Sequence, residues 1–214
     1  MSLTEALRTI LPPGLALAEA DPRTAPDGLW PEEATATTRM TGARLREFAA
    51  GRRAARAAMT ALGLPPAAVP MGVTRAPIWP DGLTGTISHD ATTCLALLGR
   101  ARDWAGLGLD LEPDTPLPAD IAATVCTPSE AADAAQARRV FCAKEAAYKA
   151  LSPRINTVLD FADMTVTLGP DTRFTARLAR AVGPFGMGTG IPGHLFSDGR
   201  QVAALVLLAH RTAL

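Results

Sequence analysis

Both lysines of this chain fall in one dodecamer. Of 21 lysines and arginines only Lys144 and Lys149 are lysine, and both lie in V-F-C-A-K-E-A-A-Y-K-A-L, Val140 to Leu151. An ammonium is a compact point charge on a flexible stem and a guanidinium is a planar fork, so this placement points to a task for the point charge. On a helix, Glu145 and Lys149 share a face one turn apart. Taken alone, that spacing equally describes a surface ion pair, which contributes only about 0.3–0.5 kcal/mol. A second acidic group lies upstream, where G-L-G-L-D-L-E-P, Gly106 to Pro113, alternates with period two. Leu107, Leu109 and Leu111 fall on one face, and Gly108, Asp110 and Glu112 on the other. Two carboxylates about 7 Å apart on a strand face repel by about 2 kcal/mol at an effective dielectric of 20. A hard divalent cation removes that cost, since Mg2+ takes one or two carboxylates and fills its octahedron with water and phosphate oxygens, and Gly108 is expected to clear space beside the pair. An exposed edge strand gives the same alternation.

Candidate anion ligands precede these acids. Arg52 interrupts an apolar stripe of Leu45, Phe48, Ala55, Met59 and Leu62, flanked by Arg53 and Arg56. Either its stem covers the core edge with the head in water, or a rigid helix holds the guanidinium for an anion. Ser88-His89 places a hydroxyl beside an imidazole at a strand end, which suits a phosphate contact, and Arg75 opens the turn-rich R-A-P-I-W-P-D-G segment.

The elements that must carry these groups are legible in outline. A short helix is expected at Met1–Ile10, a strand at Leu15–Ala20, a helix start at Pro31-Glu32-Glu33, and a long helix over Arg39–Leu62 stopped by Gly63. Two strands follow in Thr84–Gly99. Thr127-Pro128-Ser129-Glu130 matches a capping box, so the lysine helix is expected to start there, with Pro153 ending it. Met164–Leu168, Arg173–Leu178 and Gln201–His210 read as strands, with a glycine-rich connector from Gly183 to Gly193. The sequence predicts an α/β (α+β) chain in two halves, 1–104 and 105–214, joined near Arg102–Gly106.

Composition bounds the rest. With 214 residues and 48% hydrophobic content, either one large or two small cores are possible. A formal net charge of zero gives no field for nucleic acid or an anionic membrane. The eight-residue apolar run Val202–Ala209 is too short to span a bilayer. No secretory pattern opens the chain, and Cys94, Cys126 and Cys142 suit neither a disulfide framework nor zinc, so a soluble cytoplasmic protein with reduced thiols is expected.

Four segments in this order and spacing, G-R-R-A-A-R (51–56), R-A-P-I-W-P-D-G-L-T-G-T-I-S-H (75–89), G-L-D-L-E (108–112) and F-C-A-K-E-A-A-Y-K-A-L (141–151), resemble the 4'-phosphopantetheinyl transferases, and more narrowly the branch that activates enterobactin and surfactin synthetases. The resemblance covers about Arg39 to Asp163. Cys142 and Thr86 stand where serine is common, and Arg75-Ala76 replaces a basic residue placed directly before the proline. The resemblance implies two pseudo-twofold-related α/β halves with the active site in the cleft between them. It implies action on coenzyme A and an apo acyl or peptidyl carrier protein, in nonribosomal peptide, siderophore or polyketide synthesis, and the chain's size with a complete pair of halves favours a monomer. It assigns Mg2+, with Mn2+ equally compatible, to Asp110, Glu112 and Glu145, and Lys149 to the phosphates. It brings Ser88, His89, Arg52 and Arg75 to the nucleotide of coenzyme A. Asp110 and Lys144 are expected near the co-substrate, Lys144 in a secondary role, and Glu145 as the base for the acceptor serine. Arg138 and Arg139, with apolar residues between Pro113 and Ala132, are candidates for a carrier docking surface, and a solvated helix face is the equal alternative for the two arginines. A Mg2+-dependent nucleotide pyrophosphate hydrolase and a non-catalytic coenzyme A or carrier-binding module are the alternatives.

Overall fold

The computed structural model describes residues 1–127, 129–130, 133–155 and 157–210. Its element order is α1 (Leu3–Thr9), β1 (Leu15–Ala20), α2 (Pro31–Ala34), α3 (Gly42–Ala61), β2 (Leu83–His89), β3 (Cys94–Arg100), β4 (Trp104–Pro113), α4 (Ala119–Val125), α5 (Ala134–Leu151), β5 (Met164–Leu168), β6 (Arg173–Leu178), β7 (Gly190–Ser197) and β8 (Gln201–Ala209), with short 3-10 turns between some of them. This is the mixed α/β class expected from the sequence. Two compact units form, one from Ile10–Trp104 and one from Met1–Thr9 with Ala105–Leu214. The first helix thus joins the later unit, where it packs on β7 and β8.

In the 10–104 unit an antiparallel sheet of order β1-β3-β2 carries α3. Alanines make the helix–sheet contact: Ala54, Ala55 and Ala58 with Met59 meet Ala16, Ala18, Ala96 and Leu98. Small side chains let the helix axis lie close, and a Cβ on Gly51 would stand 3.1 Å from Ile87. The acidic residue predicted at a helix start has a further task. Glu33 is fully buried, receives Arg56 at 2.6 Å, and accepts the Val69 amide at 2.9 Å, so one carboxylate ties α2, α3 and the chain after α3.

The second unit is a five-stranded sheet of order β4-β8-β7-β6-β5, and α5 packs chiefly on β8. β4, which bears the acidic alternation, is therefore an edge strand. α5 starts later than the capping-box pattern predicts. Asp133 is its N-cap, its side chain accepting the amides of Ala135 and Gln136 at 2.9 and 2.8 Å, while Thr127 and Glu130 form a turn upstream; Pro128 lies outside the described residues. The Glu130 carboxylate accepts the Thr127 amide as a capping box would have it, but the Glu130 amide bonds the Thr127 carbonyl, the Thr127 hydroxyl meets Ser129, and Glu130 is drawn into the core by other partners. The connector over Gly183–Gly193 hides the start of β7. Its composition suppresses the strand signal, yet Gly193 is needed there: it pairs with Phe174 on β6, and a side chain on it would overlap the Phe174 ring. Among the described residues no helix is long and apolar enough to cross a membrane, and all three cysteines are free thiols.

Candidate active site

The chemistry of the second unit rests on how α5 meets β4. Gly106 and Gly108 face the helix, and a Cβ on either would fall inside the carbonyl oxygen of Ala150 or Ala146. Gly108 therefore clears room for a helix backbone, not for a metal as the sequence suggested. The buried alanines 143, 146, 147 and 150 complete the close approach. Consequently the helix stripe Arg138, Cys142, Glu145, Lys149, spaced 4, 3 and 4 residues apart, runs along the strand that carries Asp110 and Glu112.

Each member of that stripe reaches β4 or its charge. Lys149 Nζ donates to Asp110 Oδ1 at 2.6 Å and to the Leu109 carbonyl at 3.1 Å. Arg138 donates to Glu112 Oε2 at 2.7 Å and to the Thr115 carbonyl at 3.1 Å. The Cys142 thiol donates to the Asp110 carbonyl at 3.4 Å, and burial, then the Asp110 charge, holds it well above its ordinary pKa. Burial first, then the Asp110 charge, pushes Glu112 up to about 7 against the opposing pull of Arg138 and Lys149. Glu145 is raised by the same two causes in the same order, with Lys149 opposing. Burial alone would depress Lys149, but the charge and hydrogen bond of Asp110, then Glu145, outweigh it and keep the ammonium protonated. The three carboxylates thus share one electrostatic site.

Hard oxygen donors that raise one another's proton affinity fit a hard divalent cation. They are not drawn into a finished coordination shell: among the described residues no group of three His, Cys, Asp or Glu is arranged to hold a metal ion. Arg138 and Lys149 supply counter-charge to Glu112 and Asp110 in this arrangement.

The structure reassigns two residues. Lys144 is 3% exposed, and its ammonium donates to the Val125 carbonyl at 2.8 Å, the Phe161 carbonyl at 2.8 Å and Glu130, so its three protons meet protein acceptors and none is left for the expected co-substrate contact. Arg138, expected on a docking surface, is folded back on Glu112, whereas Arg139 is exposed.

The anion candidates lie in the 10–104 unit. Arg52 is buried rather than snorkelling: its Nε donates to the Val69 carbonyl at 2.8 Å and its guanidinium lies 3.8 Å from the Phe48 ring centroid. Its NH2 is buried without a hydrogen-bond partner among the described residues, and burial pulls its pKa down to about 10. Ser88 is buried at the end of β2, and His89 Nε2 lies 2.9 Å from an NH1 of Arg44, with Glu47 at 3.7 Å. An arginine only donates, so Nε2 is the acceptor there. Arg75 is exposed on a turn, with φ 68 and its amide on the Gly72 carbonyl. Sequence reasoning missed Arg44, whose pairing with a strand-end histidine leaves no local pattern. It missed Arg138 in the site although the helical spacing to Glu145 and Lys149 was available.

These two units each match a known family. A family model described as the 4'-phosphopantetheinyl transferase N-terminal domain matches residues 32–99, and one described as the 4'-phosphopantetheinyl transferase superfamily matches residues 106–195. The 4'-phosphopantetheinyl transferase Svp of Streptomyces mobaraensis is 40% identical over 181 residues, covering 78% of this chain and 74% of the relative. The 4'-phosphopantetheinyl transferase PptT of Mycobacterium tuberculosis is 36% identical over 76% of this chain and 78% of the relative. Enterobactin synthase component D of Salmonella typhimurium is 37% identical over 64% of this chain and 61% of the relative. The chain belongs to the 4'-phosphopantetheinyl transferase superfamily.

Proposed function

We propose that this protein transfers the 4'-phosphopantetheine group of coenzyme A to a serine hydroxyl of an apo acyl or peptidyl carrier protein, releasing adenosine 3',5'-bisphosphate. The observation that carries this reading is the run of Arg138, Glu145 and Lys149 along Asp110 and Glu112, a cation–carboxylate cluster suited to a pyrophosphate, in a chain of this superfamily. The relatives named for enterobactin synthesis favour a carrier in siderophore or related nonribosomal peptide or polyketide assembly.

In the reaction the serine oxygen bonds to the phosphorus that bears pantetheine, the bridging P–O bond breaks, and its electron pair leaves with the nucleotide phosphate. Glu145 takes the serine proton; its raised proton affinity, set by burial and by Asp110, brings it closer to the strength a general base needs near neutrality. Lys149 offsets negative charge growing on the leaving phosphate. Asp110, Glu112 and Glu145 would hold the divalent cation, Mg2+ or Mn2+, which when bound supplies further positive charge to the pyrophosphate. At the nucleotide end, the buried NH2 of Arg52, which has no partner among the described residues, favours an anion, and Ser88, His89 and Arg75 are the phosphate contacts proposed with it.

The test mixes the protein with coenzyme A, Mg2+ and an apo carrier domain and reads the carrier's mass. A gain of one phosphopantetheine supports transfer; cleavage of coenzyme A with the carrier unchanged identifies a hydrolase, and neither change identifies a binding module. Within the transfer reading, Glu145→Gln is expected to lower kcat at least about a hundredfold at saturating Mg2+. Turnover within threefold of the parent removes Glu145 as the base.

A further inference from the structure

The buried pair Lys144–Glu130 is outside the cluster described above, yet Lys144 precedes Glu145 in sequence. Its side chains are 3% and 2% exposed, with Nζ 2.9 Å from Glu130 Oε1. The pair is bonded on every side. Lys144 holds the carbonyl that ends α4, at Val125, and the Phe161 carbonyl beyond the end of α5. Glu130 accepts the Thr127 amide at 2.7 Å and the Val166 amide of β5 at 2.7 Å. Burial raises the Glu130 pKa, but those amides and the ammonium outweigh it and keep the carboxylate charged. Five separate pieces of chain therefore converge on two side chains: α4, the turn at Thr127–Glu130, α5, the segment at Phe161 and β5.

What this convergence borders is the base. A recess of about 150 Å³ is lined by Lys144, Glu145 and Tyr148 from α5 and by Val158, Leu159 and Phe161 from the segment beyond it. The far wall has no regular secondary structure apart from the 3-10 turn Phe161–Asp163, and Val158 is 74% exposed. A wall of that kind has few backbone bonds of its own to hold it against the helix. The Lys144–Phe161 bond supplies one directly, and the Glu130–Val166 bond anchors the strand that follows.

We propose that Lys144 and Glu130 form a positioning pair for Glu145, holding the 158–161 wall and the paired residues Thr127 and Glu130 at fixed distance from α5 so that the recess beside the base keeps its shape. The pair touches no substrate; it acts through the segments it ties. This rests on the transfer reading for its kinetic consequence, while its structural content stands apart from it.

The variant Lys144→Met/Glu130→Gln removes both charges together and so leaves no lone buried ion. Two readouts are needed. Amide exchange is expected to quicken at least tenfold at 157–163 and 127–130 while the α5 amides stay protected, and kcat is expected to fall at least tenfold with KM for coenzyme A and for the carrier within threefold. Uniform quickening across the whole unit, or unchanged exchange at 157–163, overturns the proposal, as does an unchanged kcat in the folded variant. Should the double variant not fold, Lys144→Arg, which keeps the charge but replaces three divergent donors by a planar fork, is read by the same pair of measurements. If the parent protein transfers nothing, the transfer reading fails by that result, and the exchange pattern still decides whether the pair holds the wall.

Discussion

Lys149→Arg is expected to lower kcat at least about a hundredfold while leaving the melting temperature within a few degrees of the parent. The charge is conserved, so a simple electrostatic attraction to phosphate would survive. The geometry is not conserved. Lys149 Nζ sits between the Asp110 carboxylate at 2.6 Å and the Leu109 carbonyl at 3.1 Å, and its side chain is only 28% exposed. A guanidinium carries its five donors in one plane at a greater reach, so it either overshoots Asp110 or turns edge-on and leaves the Leu109 carbonyl. Steady-state kinetics with coenzyme A and an apo carrier decide the matter. Activity within threefold of the parent would show that any cation serves at this position, and the confinement of both lysines to one dodecamer would then carry no chemical meaning.

Gly108→Val is expected to prevent the second unit from folding. A helix carbonyl cannot move alone, since the Ala146 oxygen that a Cβ at 108 would enter belongs to the backbone of α5. Overpacking a core costs about 1–3 kcal/mol where side chains adjust and more where a backbone must shift. Native stabilities are about 5–15 kcal/mol, so losing α5 from β4 leaves little in reserve. Gly186→Ala is the control, because no atom of the described residues lies within 4 Å of a Cβ built there. Circular dichroism melts of the two variants should separate widely, and a Gly108→Val protein with near-parental stability would contradict the described contact.

The same two positions show what could be read before any coordinates. Period-two alternation over Gly106–Pro113 reports a strand with two faces, and the structure has one there. It cannot report what fills the glycine face, because the absence of a side chain suits a ligand and a helix backbone equally. The helical period in α5 was legible, and with it the shared face of Glu145 and Lys149, but Arg138, two turns earlier on the same stripe, was assigned to a docking surface. Which acid each cation takes was not legible, since that depends on how far the helix slides along the strand. The late start of α5 has a similar cause. Thr127 and Glu130 carry the signature of a helix cap, but Glu130 is claimed by Lys144 and by the Val166 amide, two partners distant in sequence. β7 escaped because Gly190, Pro192 and Gly193 are read locally as breakers, whereas Gly193 is small for the sake of Phe174 on the neighbouring strand. Long-range contacts overrode local propensity in each case.

The pairing of Arg138 with Glu112 and of Lys149 with Asp110 bears on when this protein becomes competent. Three acids and two bases leave the cluster about one negative charge from balance, so its own side chains neutralise most of the charge that a folding chain must otherwise bury. A divalent cation held as proposed by Asp110, Glu112 and Glu145 would compete with the Lys149 ammonium and the Arg138 guanidinium for the same oxygens, which would favour its arrival together with an anion able to receive those groups. On the proposed assignment, metal and pyrophosphate would be a joint requirement, each arriving where the other makes room for it.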